Sequence, residues 1–114
     1  MKIPNAEHAF IDTAKLSDYC LNPEHPRGQH KARVFAAALG LTLSDVNYLE
    51  AALRKAALTD AAEHDLKDKY GQRYRLDFVL EGHSEQSALV RSAWIIRTGE
   101  DFPRLVTSYV LEEA

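Results

Sequence analysis

A short segment in the first third of the chain concentrates side chains that could act on a phosphate. Residues 25–33 contain two histidines and three cations, with no acidic residue among them. Histidine titrates near neutral pH and suits proton transfer, while a lysine or arginine can stabilise charge that develops on a phosphate. We interpret His25 as a candidate acid/base group and Lys31 as a candidate charge stabiliser.

The second half of the chain adds groups that complement this set. Arg91 could stabilise the same phosphate, and arginine can contact a phosphate through two N–H groups at once. Thr107 and Tyr109 offer hydroxyls that could orient it. Because the 2′-hydroxyl of RNA can be the nucleophile, such a set needs neither a metal nor a protein nucleophile. Three further arginines are assigned to substrate binding: Arg27, Arg33 and Arg75.

Each of these residues also has a purely structural interpretation. His25 precedes a proline and could be an ordinary loop residue. Lys31 lies one helical turn before Phe35 on the same face, so its stem could cover that ring. The remaining candidates could line a solvated sheet face or pack at the core and its rim: Arg75, Arg91, Trp94 and Tyr109.

Familiar catalytic and metal-binding motifs are absent from the sequence. It contains no His-Glu-x-x-His, no paired cysteines, no Gly-x-Ser-x-Gly, no phosphate loop and no dinucleotide fingerprint. We therefore predict no metal site and no cofactor. The single cysteine, Cys20, is interpreted as a small buried hydrophobic residue in a reducing compartment.

Length and composition are those of an ordinary globular domain. The 114 residues are 46% hydrophobic and 27% charged, which predicts a single domain over 1–114 with its own core. No apolar run approaches the ~18 residues that cross a membrane, and the N-terminus lacks a signal-peptide core. We expect a cytoplasmic protein without membrane contact. The net charge of −3 disfavours extensive nucleic-acid binding, although the basic segment could still hold one phosphate.

The hydrophobic spacing changes midway along the chain. A helical period predicts three helices, over residues 12–21, 28–39 and 44–58. Asp12 or Thr13 is expected to cap the first helix and Ser44 the third, whereas Gly40 is expected to end the second. A polar stretch over 59–69 is interpreted as a loose connection.

Beyond this connection the period becomes two. It predicts strands over about 73–80, 87–97 and 105–111, with Arg75 and Arg91 on the face away from the helices. The third strand is apolar on both faces, so its register is ambiguous. In the preferred register Val106 and Val110 face the helices and Thr107 faces outward with Tyr109. These patterns predict an α+β fold, with N-terminal helices packed on one face of a C-terminal antiparallel sheet of three to four strands. One contiguous core is expected between helices and sheet, formed by Phe35, Leu39, Leu49, Leu53, Tyr74, Leu76, Phe78, Val90, Trp94 and Ile96.

Residues 19–35 resemble the signature of a small uncharacterised bacterial domain family. Their sequence is Tyr-Cys-Leu-Asn-Pro-Glu-His-Pro-Arg-Gly-Gln-His-Lys-Ala-Arg-Val-Phe. Residues 70–74, 90–96 and 101–109 are similar to the same family. The resemblance covers nearly the whole chain and implies no activity.

A looser resemblance is to the barnase–EndoU–colicin–RelE group of toxin ribonucleases, which have helices on an antiparallel sheet and a basic site on its open face. It implies a metal-independent ribonuclease with RNA as substrate and a cognate antitoxin or immunity protein as partner. By this resemblance the catalytic roles fall on His25, Lys31, Arg91, Thr107 and Tyr109.

A second hypothesis is a non-catalytic module that binds the other member of a toxin–antitoxin or immunity pair. The small size and acidic net charge fit it equally well. A nuclease requires His25, Lys31 and Arg91 to converge on one cleft. A binding module would scatter these residues and expose an apolar patch instead.

Overall fold

The computed structural model describes residues 1–112, in which helices precede a sheet. The helices are α1 (Thr13–Lys15), continued by a π-helical turn (Leu16–Cys20), α2 (Gln29–Leu39) and α3 (Val46–Thr59). The strands are β1 (Glu63–Asp68), β2 (Gly71–Glu81), β3 (Ser87–Arg97) and β4 (Arg104–Glu112), in the order β1-β2-β3-β4, each antiparallel to the next. The predicted α+β fold is confirmed. None of the helices within residues 1–112 is both long and apolar enough to cross a membrane.

Local signals explain most helix ends. The Asp12 side chain accepts the backbone N–H of Ala14 at 3.1 Å and caps α1, as predicted. Gly40 ends α2 in the left-handed region (φ 68°), which favours glycine because it has no Cβ. The predicted Ser44 cap is wrong. Ser44 lies inside a 3₁₀ turn before α3, where the Asp45 carboxylate accepts the backbone N–H of Thr42 at 2.9 Å.

Asp45→Ala is expected to lower the free energy of unfolding by about 1 kcal/mol at pH 7, because the Thr42 N–H loses its acceptor. This hydrogen bond is the main cause that holds the pKa of Asp45 below its ordinary value of 3.8. A carboxyl with a lowered folded-state pKa stabilises the fold above its unfolded pKa, and this contribution is lost as the pH falls through the folded value. Urea unfolding should therefore show the difference at pH 7 and show it shrinking below about pH 4.

Ser44→Ala is the matched control, since Ser44 belongs to the same turn and bonds only to the Thr42 hydroxyl among the described residues. Its effect should stay within about 0.5 kcal/mol, as for most surface substitutions. A larger loss for Ser44→Ala than for Asp45→Ala would contradict this account of the cap.

The polar stretch 59–69 is not a loose connection. Residues Glu63–Asp68 form the edge strand β1, paired with β2 through Glu63↔Arg75 and Asp68↔Gly71. Every residue of β1 is exposed, so no apolar alternation marks it in the sequence. Its backbone pairs with a β2 edge that would otherwise be open, and this pairing needs no apolar side chains. The sheet therefore has four strands.

One core lies between the helices and the inner face of the sheet. The predicted core residues are confirmed within a single buried cluster: Phe35, Leu39, Leu49, Leu53, Tyr74, Leu76, Phe78, Val90 and Trp94. Ile96, also predicted, is partly buried against this cluster. The change of hydrophobic period from helical to two was thus sufficient to assign the inward faces of β2 and β3.

The predicted register of β4 is half right. Val110 is buried opposite Val90, and Thr107 and Tyr109 pair with Ala93 and Arg91 on the opposite face, as expected. Val106 does not face the core. The register shifts between Ala93 and Trp94, so that Trp94 pairs with Leu105 and Val106 is an extra residue. Such a bulge lets Leu105 point inward although Thr107, two residues later, points outward.

Candidate functional site

An open cleft of about 550 Å³ lies between the first helical segment, the start of α2 and the bulged part of β4. Three of the five predicted catalytic residues line it, namely His25, Lys31 and Thr107. They come from a loop, a helix and a strand that are far apart in sequence. The fold therefore brings an imidazole, an ammonium group and a hydroxyl, all selected for their chemistry, to one cleft.

Lys31 lies in the first turn of α2 and points into this cleft. Its ammonium donates a hydrogen bond to the Tyr19 hydroxyl (3.0 Å) and lies 4.8 Å from the Tyr19 ring centroid and 5.6 Å from that of Tyr109. Within residues 1–112 no carboxylate oxygen lies within 4 Å of it. One neutral hydroxyl and two aromatic rings hold this charge in place without cancelling it. Lys31 is thus oriented for an incoming anion.

His25 closes one side of the cleft in a defined orientation. Its Nδ1 accepts the backbone N–H groups of Arg27 (3.0 Å) and Gly28 (2.9 Å), and its ring meets the Tyr19 ring edge-on at 4.9 Å. Since Nδ1 is an acceptor, the proton of the neutral ring resides on Nε2. The geometry therefore suits His25 to donating a hydrogen bond through Nε2–H rather than to taking a proton.

Arg91 and Tyr109 lie beside the cleft, outside its described lining. They are cross-strand partners on the outer face of the sheet. The Arg91 guanidinium donates to both carboxylate oxygens of Asp77, at 2.8 and 3.0 Å, and this interaction raises the pKa of Arg91. Arg91 remains charged, but its two-pronged contact is already taken by Asp77. Tyr109 lies between Arg91 and Lys31 and contacts the latter through its ring.

The three predicted substrate-binding arginines are placed apart from the cleft. Arg75 forms an ion pair with Glu63 on β1. Arg33 donates to the Gln29 side chain at 3.1 Å and borders a separate apolar groove. Arg27 is exposed in the loop before α2. None of them is among the described residues that line the cleft.

Two cleft residues were not singled out by the sequence. Tyr19 supplies the hydroxyl that holds Lys31, and Lys15 donates from its ammonium to the Val106 carbonyl at 3.3 Å. No periodicity marks either of them as functional, although Tyr19 belongs to the segment over 19–35. Two carboxylates, Asp12 and Asp18, line the same cleft, and neither forms an ion pair with Lys31. The Lys31 ammonium therefore stays available to an anion.

The approach of α2 to Tyr19 depends on Gly28. A Cβ at this position would lie 2.2 Å from the Tyr19 carbonyl oxygen, closer than any real contact. The φ of Gly28 is −82°, so the requirement is for space rather than for an unusual backbone. Gly28 thus allows the first turn of α2, with Lys31, to pack against Tyr19.

Cys20 lies beneath the cleft and is fully buried, as predicted. Its Sγ is 4.0 Å from the Thr107 hydroxyl, and burial raises the pKa of the thiol. A buried thiol with a raised pKa is a poor nucleophile. In the described part of the chain, no three histidine, cysteine, aspartate or glutamate side chains are grouped so that they could hold a metal ion.

The sequence profile of a domain of unknown function, DUF6883, matches residues 2–112. The chain belongs to this family. The resemblance to an uncharacterised family is therefore confirmed, whereas the proposal that residues 19–35 are its signature stays a prediction. No curated protein matches the DUF6883 chain in sequence.

The DUF6883 chain is similar in structure to a chain of a contact-dependent growth inhibition toxin–immunity protein complex from Klebsiella pneumoniae 342. The TM-score is 0.68 at 16% sequence identity, and the match covers 88% of this chain and 97% of that chain. Likeness at this identity shows a shared fold. It does not transfer an activity or a residue role.

Proposed function

We propose that this DUF6883 domain is a toxin-type ribonuclease that cleaves RNA without a metal ion. The observation that carries the proposal is the convergence of the Lys31 ammonium, the His25 imidazole and the Thr107 hydroxyl on one open cleft. The likeness of the fold to a chain of a toxin–immunity complex supports a toxin context. These three side chains would be sufficient for the cleavage of RNA, because the 2′-hydroxyl of the substrate is itself the nucleophile.

In the proposed reaction the 2′-oxygen of RNA forms a bond to the adjacent phosphorus and the bond to the 5′-oxygen breaks. The 2′-hydroxyl releases its proton to water. The Lys31 ammonium stabilises the charge on the phosphate and supplies a proton to the departing 5′-oxygen, after which solvent reprotonates the amine. The Nε2–H of His25 and the hydroxyl of Thr107 donate hydrogen bonds to the phosphate oxygens. The products are a 2′,3′-cyclic phosphate and a 5′-hydroxyl.

A second candidate function is that of the non-catalytic member of such a pair. The observation that favours it is a groove of about 520 Å³ between α3 and β2. Tyr48, which is 45% exposed, and the exposed Ala51 contribute apolar surface to this groove. Exposed apolar surface beside a groove is typical of protein-binding sites.

The test uses the purified chain and a 5′-labelled RNA oligonucleotide in the presence of excess EDTA. We expect cleavage that persists in EDTA and leaves 2′,3′-cyclic phosphate ends, identified by their mass. The same oligonucleotide with 2′-deoxyribose throughout is the matched control and should remain intact. Cleavage of the deoxy substrate, or cleavage lost in EDTA and restored by a metal ion, would refute the proposed mechanism.

If the folded protein cleaves none of the RNAs tested, the second candidate function, that of a non-catalytic binding partner, would remain. It would then be tested by co-purification with the protein encoded by the neighbouring gene. In that case an Ala51→Glu variant, which places a charge on the exposed α3 side of the groove, should lose the complex while the fold is retained.

A further inference from the structure

A second basic surface lies on the outer face of the sheet, next to the cleft. Arg73 on β2, Ile95 on β3 and Arg104 on β4 form a row across three strands, since Ile95 pairs with both arginines. Arg97 lies two residues after Ile95 on the same face and is therefore diagonal to Arg73. We call the surface formed by Lys15, Tyr70, Arg73 and Arg97 the arginine patch. Ile95, only 7% exposed, is its apolar floor.

The charges on this surface are not equally available. Arg104 donates to both carboxylate oxygens of Glu100, at 2.9 and 2.8 Å, and stacks near the rings of Phe10 and Phe102. Arg73 and Arg97, by contrast, have no carboxylate oxygen within 4 Å among residues 1–112. The Cα atoms of diagonal neighbours in a sheet lie about 7–8 Å apart. The charge of Arg97 helps to lower the pKa of Glu100, but neither arginine forms an ion pair within residues 1–112, so both guanidinium groups can contact an anion.

The arginine patch also presents an aromatic ring. Tyr70 is 60% exposed and lines the same groove as Arg73 and Arg97. Its backbone is held in place, because its carbonyl accepts the Thr98 N–H at 3.1 Å and the Thr98 hydroxyl donates to the Lys69 carbonyl at 2.9 Å. An exposed tyrosine beside unpaired arginines is the arrangement with which proteins bind single-stranded nucleic acid, by stacking a base and contacting phosphates.

The groove of the arginine patch, about 370 Å³, continues into the catalytic cleft. Asp12, Lys15 and Val106 line both. Lys15 is held at the junction by its hydrogen bond to the Val106 carbonyl. A nucleic-acid strand that leaves the cleft can therefore follow the positive charges of Lys15, Arg73 and Arg97, past Asp12, which also lines the junction.

From this continuity we infer that the arginine patch is a binding subsite for the single-stranded segment of RNA next to the cleavage site. Arg73 and Arg97 bind its phosphates, and Tyr70 stacks on one of its bases. The inference rests on the proposed ribonuclease function and extends it, because it predicts that the enzyme distinguishes long single strands from short substrates and from duplexes.

The experiment compares two substrates and two variants. The dinucleoside phosphate UpA spans only the cleft, whereas a 12-nucleotide single-stranded RNA also reaches the patch. Arg73→Ala/Arg97→Ala is expected to lower kcat/KM on the 12-mer by about tenfold and to leave UpA cleavage within about twofold. The slope of log(kcat/KM) against log[salt] for the 12-mer should flatten by about 1.4, that is, about 0.7 for each phosphate that the variant no longer neutralises.

Lys2→Ala/Lys55→Ala is the matched control. It removes the same charge from two exposed lysines outside both the cleft and the groove, and should leave both substrates unaffected. The subsite is refuted if the arginine variant cleaves the 12-mer at the wild-type rate and salt dependence. It is equally refuted if UpA cleavage falls as much as 12-mer cleavage, since the damage would then be in the cleft.

A failure of the proposed function would be seen separately, as absence of cleavage of both substrates by the wild-type chain. The subsite is then tested by fluorescence anisotropy with the labelled 12-mer. Weaker binding by the arginine variant, with wild-type affinity in the lysine control, supports it. Equal affinity in all three proteins overturns it, which is also the result expected if the arginine patch binds an acidic segment of a protein instead of RNA.

Discussion

Lys31→Met is expected to lower the rate of RNA cleavage by about 10²-fold or more. The ammonium group of Lys31 is hydrogen-bonded to Tyr19 and directed into the cleft that Thr107 and His25 also line. It is the group best placed to meet the charge that develops on a phosphate there. Methionine keeps the apolar stem of the side chain and removes only the charge and the donor. The measurement is kcat on UpA, with the thermal midpoint as a check on folding.

Lys55→Met is the control for this substitution, because Lys55 is an exposed lysine on α3 and borders a different groove. It should cleave RNA at the wild-type rate. Lys31→Arg tests the role further, since it keeps the charge and changes the geometry, and should recover part of the lost activity. A folded Lys31→Met variant that cleaves RNA as fast as wild type would exclude the cleft as the catalytic site.

Trp94→Ala is expected to lower the free energy of unfolding by about 3–5 kcal/mol. Trp94 is fully buried between the sheet and the helices. Its indole N–H donates to the Ser92 hydroxyl at 2.9 Å, and that hydroxyl donates to the Leu76 carbonyl at 3.3 Å. Alanine leaves a large cavity and removes one partner of this buried chain. Because whole domains are stable by about 5–15 kcal/mol, the loss should be visible as a large shift in urea unfolding.

Tyr70→Ala provides the comparison, because it removes an aromatic side chain that is 60% exposed. Its effect on unfolding should stay within about 0.5 kcal/mol. Trp94→Phe retains much of the ring but not the donor and should fall between the two. A Trp94→Ala protein as stable as Tyr70→Ala would mean that the assigned core does not carry the stability of the fold.

The sequence by itself determined which segments are helices and which faces of β2 and β3 are buried. These features depend on periodic apolar residues and on short-range signals, such as Asp12 before α1 and Gly40 after α2. Residue chemistry also selected His25, Lys31 and Thr107, which the fold brings to one cleft. Local propensity and side-chain chemistry are properties of the residues themselves, so a single sequence is enough to reveal them.

Other features were decided only by the tertiary structure. The exposed strand β1 forms because the edge of β2 is available to pair with it, and Val106 is displaced by a bulge in β4. Tyr19 becomes the partner of Lys31 through the close packing at Gly28, and Arg91 is engaged by Asp77 across the β2–β3 pair. Each of these contacts joins residues from different helices, strands or turns, and forms only when those elements are packed in the right positions. That placement follows from the packing of the entire core, and so it leaves no periodic signal in any one segment.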